Sequence, residues 1–367
     1  MRSRTIVLAG GGTAGHIQPA LAVAREWKRN HPQDRIVFLG TESGLEKTLV
    51  PAAGFELALI TRVRVPRSIS LGWLKVPSTL RTSIAETRSI LADADLLIGF
   101  GGYVCAPAYL AAHGLHLPIV IHEANAKPGW ANRLGARYTD ALAVGSPVSD
   151  GPFSQALITG LPLRADIVDV LETNRDAGQE QWQAMRQSAK VSLGMDPDQK
   201  MILIFGGSQG SQALNAVIES ARDALSARHI GVLHSVGGSN ALPQSHGSYR
   251  ALSYIENMAQ AYLAADLIIA RSGAITCSEV AAIGKYALFI PLPVGNGEQM
   301  VNADQLVRAG RAQVFSQQLL TSTWLLDNID SMLTRSAQLG DIGDSTDLQA
   351  AAKIVALGEH QLEKSSR

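Results

Sequence analysis

Short, nearly unbroken apolar runs recur along the chain, separated by longer stretches in which apolar residues return every three or four positions. The runs lie at 5–9, 35–39, 95–98, 118–121, 141–144, 201–205, 230–235, 267–270 and 287–290. Several lack the every-other-residue alternation of a sheet with one wet face, which predicts strands buried on both faces of a parallel sheet. Helical spacing appears between them, for example at 19–29 and 211–227, and the polar stretch 172–192, rich in Gln, Arg, Glu and Asp, predicts a solvated helix. Strand alternating with helix predicts a doubly wound α/β architecture. Residues 96–121 carry no Asp, Glu, Lys or Arg and are long enough to cross a bilayer. Gly101, Gly102, Pro107, Gly114 and Pro118 interrupt them, and His113 and His116 sit inside. A strand, a glycine turn, a buried helix and a second strand account for the segment better.

The run at 5–9 leads into Gly10-Gly11-Gly12-Thr13-Ala14-Gly15. The same grammar returns almost 200 residues later, where 201–205 leads into Gly206-Gly207-Ser208-Gln209-Gly210. Each reads as the first βα turn of its own Rossmann-like unit. A length of 367 residues accommodates two such domains. The expected boundaries are 1–163 for the first and 164–342 for the second. The tail 343–367 has helical spacing at Ile354, Leu357 and Leu362, which predicts a last helix packing back on the first domain.

Composition narrows the classes. The chain is 46% hydrophobic and only 17% charged, against about a quarter in typical soluble proteins, so large buried cores are expected. Lys+Arg and Asp+Glu both total 32, which excludes an overall basic nucleic-acid binder and an acidic disordered chain. Two cysteines, Cys105 and Cys277, build neither a disulfide framework nor a four-Cys zinc site, and fit a reducing cytoplasm. The apolar start at 5–9 is too short for a signal-peptide core.

The two glycine turns are the first candidates for chemistry. The turn at 10–15 satisfies G-x-G-x-x-G, in which glycines let the backbone approach a phosphate or sugar at a helix N-terminus. A bare βα turn has the same look. A dinucleotide site also wants an acid at the end of the second strand, and that strand ends Phe38-Leu39-Gly40 with Glu42 only later. His16, just past the last glycine, is either a ligand or proton-transfer group or a structural side chain. In the second turn, the Ser208 hydroxyl, the Gln209 amide and the backbone amides suit a diphosphate or sugar. After the run at 267–270, Arg271-Ser272-Gly273 opens a helix whose N-terminus is a ready anion site. Glu279, early in that helix, either complements its dipole, forms a capping box with Thr276, or takes both ribose hydroxyls of a nucleotide. Glu298, Gln299 and Asn302 open another helix and suit sugar hydroxyls or a helix cap. His122-Glu123-Ala124-Asn125 and Phe100-Gly101-Gly102-Tyr103 lie at C-terminal strand ends, where α/β sites gather. Asp93-Ala94-Asp95 precedes an apolar strand and reads as helix-end punctuation. No metal-ligand spacing occurs, so a protein-held metal is not expected, and the lack of G-x-x-x-x-G-K-[ST] disfavours a P-loop NTPase; no cofactor is expected.

The stretch 61–85 carries Arg62, Arg64, Arg67, Lys75 and Arg81, interleaved with apolar residues that include Leu71, Trp73 and Leu74. A solvated loop is one reading. Shallow contact with an anionic membrane surface is the other, with Arg64, Arg67, Leu71, Trp73, Leu74 and Lys75 as the contact residues.

In this order and spacing the motifs resemble the MurG family of peptidoglycan enzymes, which transfer N-acetylglucosamine from its UDP sugar onto lipid I. The matching pieces are Gly11 to His16, Gly101-Gly102-Tyr103-Val104, His122 to Asn125, Gly206 to Gly210, Arg271-Ser272-Gly273 with Glu279, and Gln299 with Asn302-Ala303. They span nearly the whole chain. The resemblance implies the GT-B fold, two Rossmann-like domains facing a cleft. It implies UDP-N-acetylglucosamine as donor, lipid I as acceptor, lipid II as product, and peripheral attachment to the cytoplasmic face of the membrane through anionic lipid. It assigns donor binding to Thr13, Ala14, Gly15, Asn125, Arg164, Ser208, Ile255, Ala274, Ile275, Thr276, Cys277, Ser278, Glu279 and Gln299. His16 is the candidate base, with Glu123 in reserve. Ala14, Ala124 and Leu161 stand where the family usually has Gly, Gln and Asn. Two rivals share the nucleotide sugar: a UDP-N-acetylglucosamine 2-epimerase and a non-catalytic sugar-nucleotide-binding protein.

Overall fold

The computed structural model describes residues 3–63, 76–173, 177–207, 209–293, 297–340, 343–344 and 346–365. Ser208 and the six candidate membrane residues Arg64, Arg67, Leu71, Trp73, Leu74 and Lys75 lie outside the described residues. The chain divides into two compact units: unit 1 is Met1–Arg164 with Thr346–Arg367, and unit 2 is Ala165–Ser345.

Unit 1 holds β1 (Thr5–Gly10), β2 (Arg35–Gly40), β3 (Glu56–Leu59), β4 (Leu96–Gly101), β5 (Ile119–Glu123), β6 (Leu142–Val144) and β7 (Leu157–Ile158). They form one parallel sheet in the order β3-β2-β1-β4-β5-β6-β7. The order reverses between β1 and β4, the switch point at which α/β sheets gather ligands. Alternate residues of the central strands feed two separate cores. Ile6, Leu8, Phe38 and Ile98 face the helix Ala14–Asn30 and the last helix, Ala350–Ser365. Val7, Leu39, Leu97 and Ile121 face a core shared with Cys105–Gly114. This two-sided burial is why the strands read as unbroken apolar runs. The last helix buries Ile354 and Val355. It passes so close to Trp27 that a Cβ on Gly358 would lie 2.8 Å from the indole ring. Glu359 there meets His31 Nε2 at 2.6 Å.

Unit 2 holds β8 (Lys200–Phe205), β9 (Ile230–Ser235), β10 (Tyr249–Leu252), β11 (Leu267–Ala270), β12 (Ala287–Phe289) and β13 (Ala312–Val314). Its parallel order, β10-β9-β8-β11-β12-β13, repeats that of unit 1 around β8. Helices Gln212–Ala227 and Ser322–Leu339 cover one face through Leu214, Ile218, Leu325 and Ile329. Asp266, just before β11, takes Arg186 at 2.7 Å, Lys190 at 3.1 Å and the Met201 N–H at 2.8 Å. These bonds tie the helix Gln179–Ser192 to the start of β8.

The nine apolar runs are all strands, and residues 96–121 form β4, the helix Cys105–Gly114 and β5. The pattern at 172–192 belongs to two helices, Ala165–Thr173 and Gln179–Ser192. Four strands, β3, β7, β10 and β13, had no apolar run to announce them, and they are the four edges of the two sheets. Asp95 does more than punctuate a helix end, because its carboxylate accepts the Thr5 N–H that begins β1 at 2.8 Å.

Candidate active site

In unit 1 the glycine turn joins β1 to the helix Ala14–Asn30. Thr13 is its N-cap, extended at φ −134° and making no side-chain cap bond. Gly12 stands at φ +92°, where a side chain would be strained and would strike the Tyr103 ring. Its N–H donates to Glu46 Oε2 at 3.0 Å. Glu46 is fully buried, and its Oε1 accepts the Thr41 N–H at 3.0 Å and the Tyr103 hydroxyl at 2.8 Å. The motifs in the sequence missed this carboxylate. It sits 34 positions from Gly12, and nothing local marks it as part of the turn.

His16 occupies the third position of that helix and is half-buried. Its Nδ1 lies 3.1 Å from the Gly11 carbonyl oxygen and 3.3 Å from Thr13 Oγ1. A carbonyl only accepts, so the neutral ring carries its proton on Nδ1 and keeps a lone pair on Nε2. Gly101, at φ +96°, packs against that side of the ring, where a Cβ would lie 3.3 Å from Nε2. Burial pushes the His16 imidazole below its ordinary value. Glu123, the Gly11 carbonyl and Glu46 oppose the shift without reversing it. The ring is therefore neutral at neutral pH and able to accept a proton.

Glu123 ends β5, and both its oxygens are engaged. Oε1 accepts the Asn125 N–H at 2.9 Å and Asn125 Nδ2 at 3.1 Å, and Oε2 accepts the Gly129 N–H at 2.9 Å and Asn132 Nδ2 at 3.0 Å. This carboxylate organises the loop that leads into the helix Trp130–Gly135, and Asn132 completes the chain by accepting the Tyr109 hydroxyl at 2.7 Å. His122 points inward. Its Nε2–H donates to the Gly160 carbonyl at 3.0 Å, and burial pushes the ring down to about 4. Ala14 and Gly15 are half-buried in the first helical turn, and Arg164 is where the chain leaves unit 1 for unit 2. Burial pushes the Cys105 thiol up to about 12, which leaves it inert.

In unit 2 the turn after β8 uses Gly207 at φ +87° and Gly210 at φ +76°. Ser211 caps the helix Gln212–Ala227 by accepting the Leu214 N–H. Asn240 Nδ2, in the next loop, donates to the Gln209 carbonyl of the turn at 3.2 Å and to the Val236 carbonyl of its own loop at 2.7 Å. Arg271, after β11, is buried. It donates to Ser211 Oγ at 2.7 Å, Gln317 Oε1 at 2.5 Å and the carbonyls of Ile290 and Pro291 at 2.8 and 3.1 Å. All four partners are uncharged oxygens, so the guanidinium charge is not cancelled by them.

The helix Ala274–Ile283 starts beside Arg271 with Gly273 as N-cap and no side-chain cap bond. That excludes a capping box between Thr276 and Glu279, because Thr276 lies inside the helix. Glu279 is its sixth residue, buried, and accepts the Tyr262 hydroxyl at 2.8 Å. Ala274, Cys277 and Ser278 are buried as well, while Ile275 and Thr276 are half-buried in the first turn. Gln299 Oε1 accepts the Leu292 N–H at 2.9 Å, the Gln299 carbonyl accepts the Ser272 hydroxyl at 2.7 Å, and Asn302 Nδ2 reaches the Ser272 carbonyl at 3.2 Å. The sugar-reading candidates are thus tied to the 271–273 turn. Ile255 is buried in the segment after β10. Among the described residues no cluster of His, Cys, Asp and Glu could hold a metal, and no helix is long and apolar enough to cross a membrane.

The two units therefore present opposite chemistry at the C-terminal ends of their strands. Unit 1 has a neutral imidazole beside two buried carboxylates. Unit 2 has a buried guanidinium between the N-termini of two helices, suited to a diphosphate. Two Rossmann-ordered units with this division define a GT-B glycosyltransferase, and the solved structures agree. The crystal structure of Acinetobacter baumannii MurG superposes with a TM-score of 0.67 at 25% identity, over 98% of this chain and all of that one. A calicheamicin glycosyltransferase superposes at 0.61 with 16% identity over the whole of both chains, a likeness of fold.

Residues 6–144 match the glycosyltransferase family 28 N-terminal domain and residues 201–356 its C-terminal domain. The UDP-N-acetylglucosamine–N-acetylmuramyl-(pentapeptide) pyrophosphoryl-undecaprenol N-acetylglucosamine transferase of Streptomyces coelicolor is 44% identical over 331 residues, 88% of each chain. The enzyme of the same name from Saccharopolyspora erythraea is 42% identical over 351 residues, 94% of this chain and 90% of that one. The chain belongs to the MurG family within glycosyltransferase family 28.

Proposed function

We propose that the protein transfers N-acetylglucosamine from UDP-N-acetylglucosamine to the 4-hydroxyl of the N-acetylmuramyl sugar of lipid I, forming lipid II for peptidoglycan. The observation that carries this reading is the match, over nearly the full length of both chains, to enzymes named for that transfer. The acceptor hydroxyl attacks the anomeric carbon with inversion. The bond from that carbon to the diphosphate oxygen breaks, its electron pair leaves with UDP, and the hydroxyl proton passes to His16 Nε2. The first turn of Ala274–Ile283, with Ser208 and the nearby Arg271 charge, stabilises the leaving diphosphate. Glu279 takes the ribose hydroxyls, the backbone at Ile255 meets uracil, and Gln299 reads the sugar. Thr13, Ala14, Gly15, Asn125 and Arg164 are further donor contacts. Glu123 has no oxygen to spare for the proton and instead offsets the imidazolium charge. Attachment is peripheral, at the cytoplasmic face, through the basic and apolar stretch 61–85 and anionic lipid.

The test is incubation with labelled UDP-N-acetylglucosamine and lipid I in anionic vesicles, at low and high salt, beside a short-chain soluble acceptor. Disaccharide-linked lipid is expected from both acceptors. Only the vesicle reaction should weaken with salt, since surface charges are screened. The manno epimer formed from donor alone would point to the epimerase, and binding without turnover to a sugar-nucleotide sensor.

A further inference from the structure

Glu46 belongs to no motif, yet donors from three parts of unit 1 converge on it: Gly12 N–H after β1, Thr41 N–H after β2, and the Tyr103 hydroxyl after β4. Gly12 N–H and the Gly11 carbonyl are the two ends of one planar peptide unit. Glu46 accepts from the first end at 3.0 Å, and His16 Nδ1 donates to the second at 3.1 Å. A carboxylate, a single peptide and an imidazole are therefore joined in one hydrogen-bonded chain. Each bond in such a chain polarises the next, and the first is charge-assisted.

We propose that Glu46 is a positioning residue for the transfer step: it holds the Gly11–Gly12 peptide that orients the His16 ring, and its charge steadies that ring once it has taken the acceptor's proton. The proposal rests on the reading of His16 as proton acceptor. Among the described residues, the charged groups acting on His16 are Glu123 and Glu46. Tyr103 and Cys105 are pushed up to about 12 and Tyr109 well above its ordinary value, so all three are neutral near pH 7. Arg62 sits 4.7 Å over the Tyr103 ring.

Two variants separate charge from reach. Glu46→Gln keeps the shape and removes the charge, whereas Glu46→Asp keeps the charge and shortens the arm. With UDP-N-acetylglucosamine and a soluble lipid I analogue, Glu46→Gln is expected to lower kcat about ten- to a hundredfold, part of the roughly 10²–10⁴-fold supplied by a general base. The acid limb of kcat/KM should move to lower pH by about half to one unit, because an anion that favours the protonated ring is gone. UDP affinity should not change. Glu46→Asp should lose kcat and keep its acid limb. The His16 ring, followed by NMR of carbon-13-labelled histidine without substrate, should titrate lower in Glu46→Gln alone. That measurement judges Glu46 even if the wild-type protein makes no disaccharide lipid, in which case the functional reading fails by itself. An unmoved His16 titration with unchanged kcat in Glu46→Gln overturns the proposal. So does loss of UDP binding or of the folded state in both variants, which would make Glu46 a core residue only.

Discussion

Burial acts on His16 and Arg271 in the same direction and leaves them in opposite states. It lowers both, but the imidazole starts close to neutral pH and becomes neutral there, while the guanidinium starts far above it and stays charged. One residue is left able to take a proton and the other to face an anion. A base of this kind contributes roughly 10²–10⁴-fold to rate, so His16→Ala should lower turnover by that order. Single-turnover kinetics beside UDP titration would check it, with UDP affinity expected to hold. Parallel loss of both would make the ring a binding contact. The acid limb of the wild-type rate should lie below the ordinary imidazole value, since the base must be unprotonated and its own value is lowered.

At the scale of elements, the edge strands and the glycine turns obey different rules. An edge strand has one hydrogen-bonded neighbour and at least one wet side, so it needs no continuous apolar run. β10 alternates, with Tyr249 and Ala251 buried and Arg250 exposed, and β7 leaves Leu157 and Ile158 about half exposed at 48% and 52%. Their strand character comes from the neighbour, which is why the apolar pattern passed over them. The glycine turns are the reverse case, where the local conformation is demanding. Gly102, at φ +87°, lies against the Gly11 carbonyl, and a Cβ there would overlap that oxygen. Gly102→Ala should cost about 2 kcal/mol or more, from the left-handed backbone and the collision together. Gly114 has nothing within 4 Å of its Cβ position and ends a helix. Gly114→Ala should be neutral or stabilising by up to about 1 kcal/mol. Urea midpoints of the two variants decide the comparison, and equal midpoints would mean the unit 1 turns can shift to make room.

At the scale of the molecule, each unit buries a histidine that must stay neutral. His122 in unit 1 and His234 in unit 2 are both pushed down to about 4 by burial. His234 Nδ1 accepts the Tyr249 hydroxyl at 2.9 Å, and its Nε2–H meets Asn215 Oδ1 at 3.1 Å, a pairing that suits the neutral ring. Because the folded values are depressed, the unfolded chain binds these protons first as pH falls. The stability they represent is complete above about 6.5 and is lost between there and about 4, by roughly 3 kcal/mol for each ring. Asp266 works in the same sense lower down. Burial raises it, but Arg186 and Lys190 bring it below its ordinary value, so acid removes that contribution too. Urea unfolding at pH 7, 5.5 and 4 should show the decline in both units. A flat profile across that window would mean the rings titrate freely.

Much of the protein follows from the chain alone. The central strands, the alternation of strand and helix, and the two glycine turns are local facts. They arise from what two-sided burial demands of consecutive residues and from the few residues that accept left-handed backbone. The motifs that mark the family, from Gly11 through Asn302, are local for the same reason. The partnerships were decided only by the tertiary fold. Glu46 reaches Gly12 across 34 residues, Arg271 reaches Ser211 across 60, and Tyr103 meets Glu46 across 57. Glu123 looked like a spare base until four neighbouring donors occupied its oxygens. A hydrogen bond between distant residues leaves no trace in the spacing of either one. Whether a carboxylate takes a proton, holds a loop or braces a turn depends on which donors the folded chain brings to it.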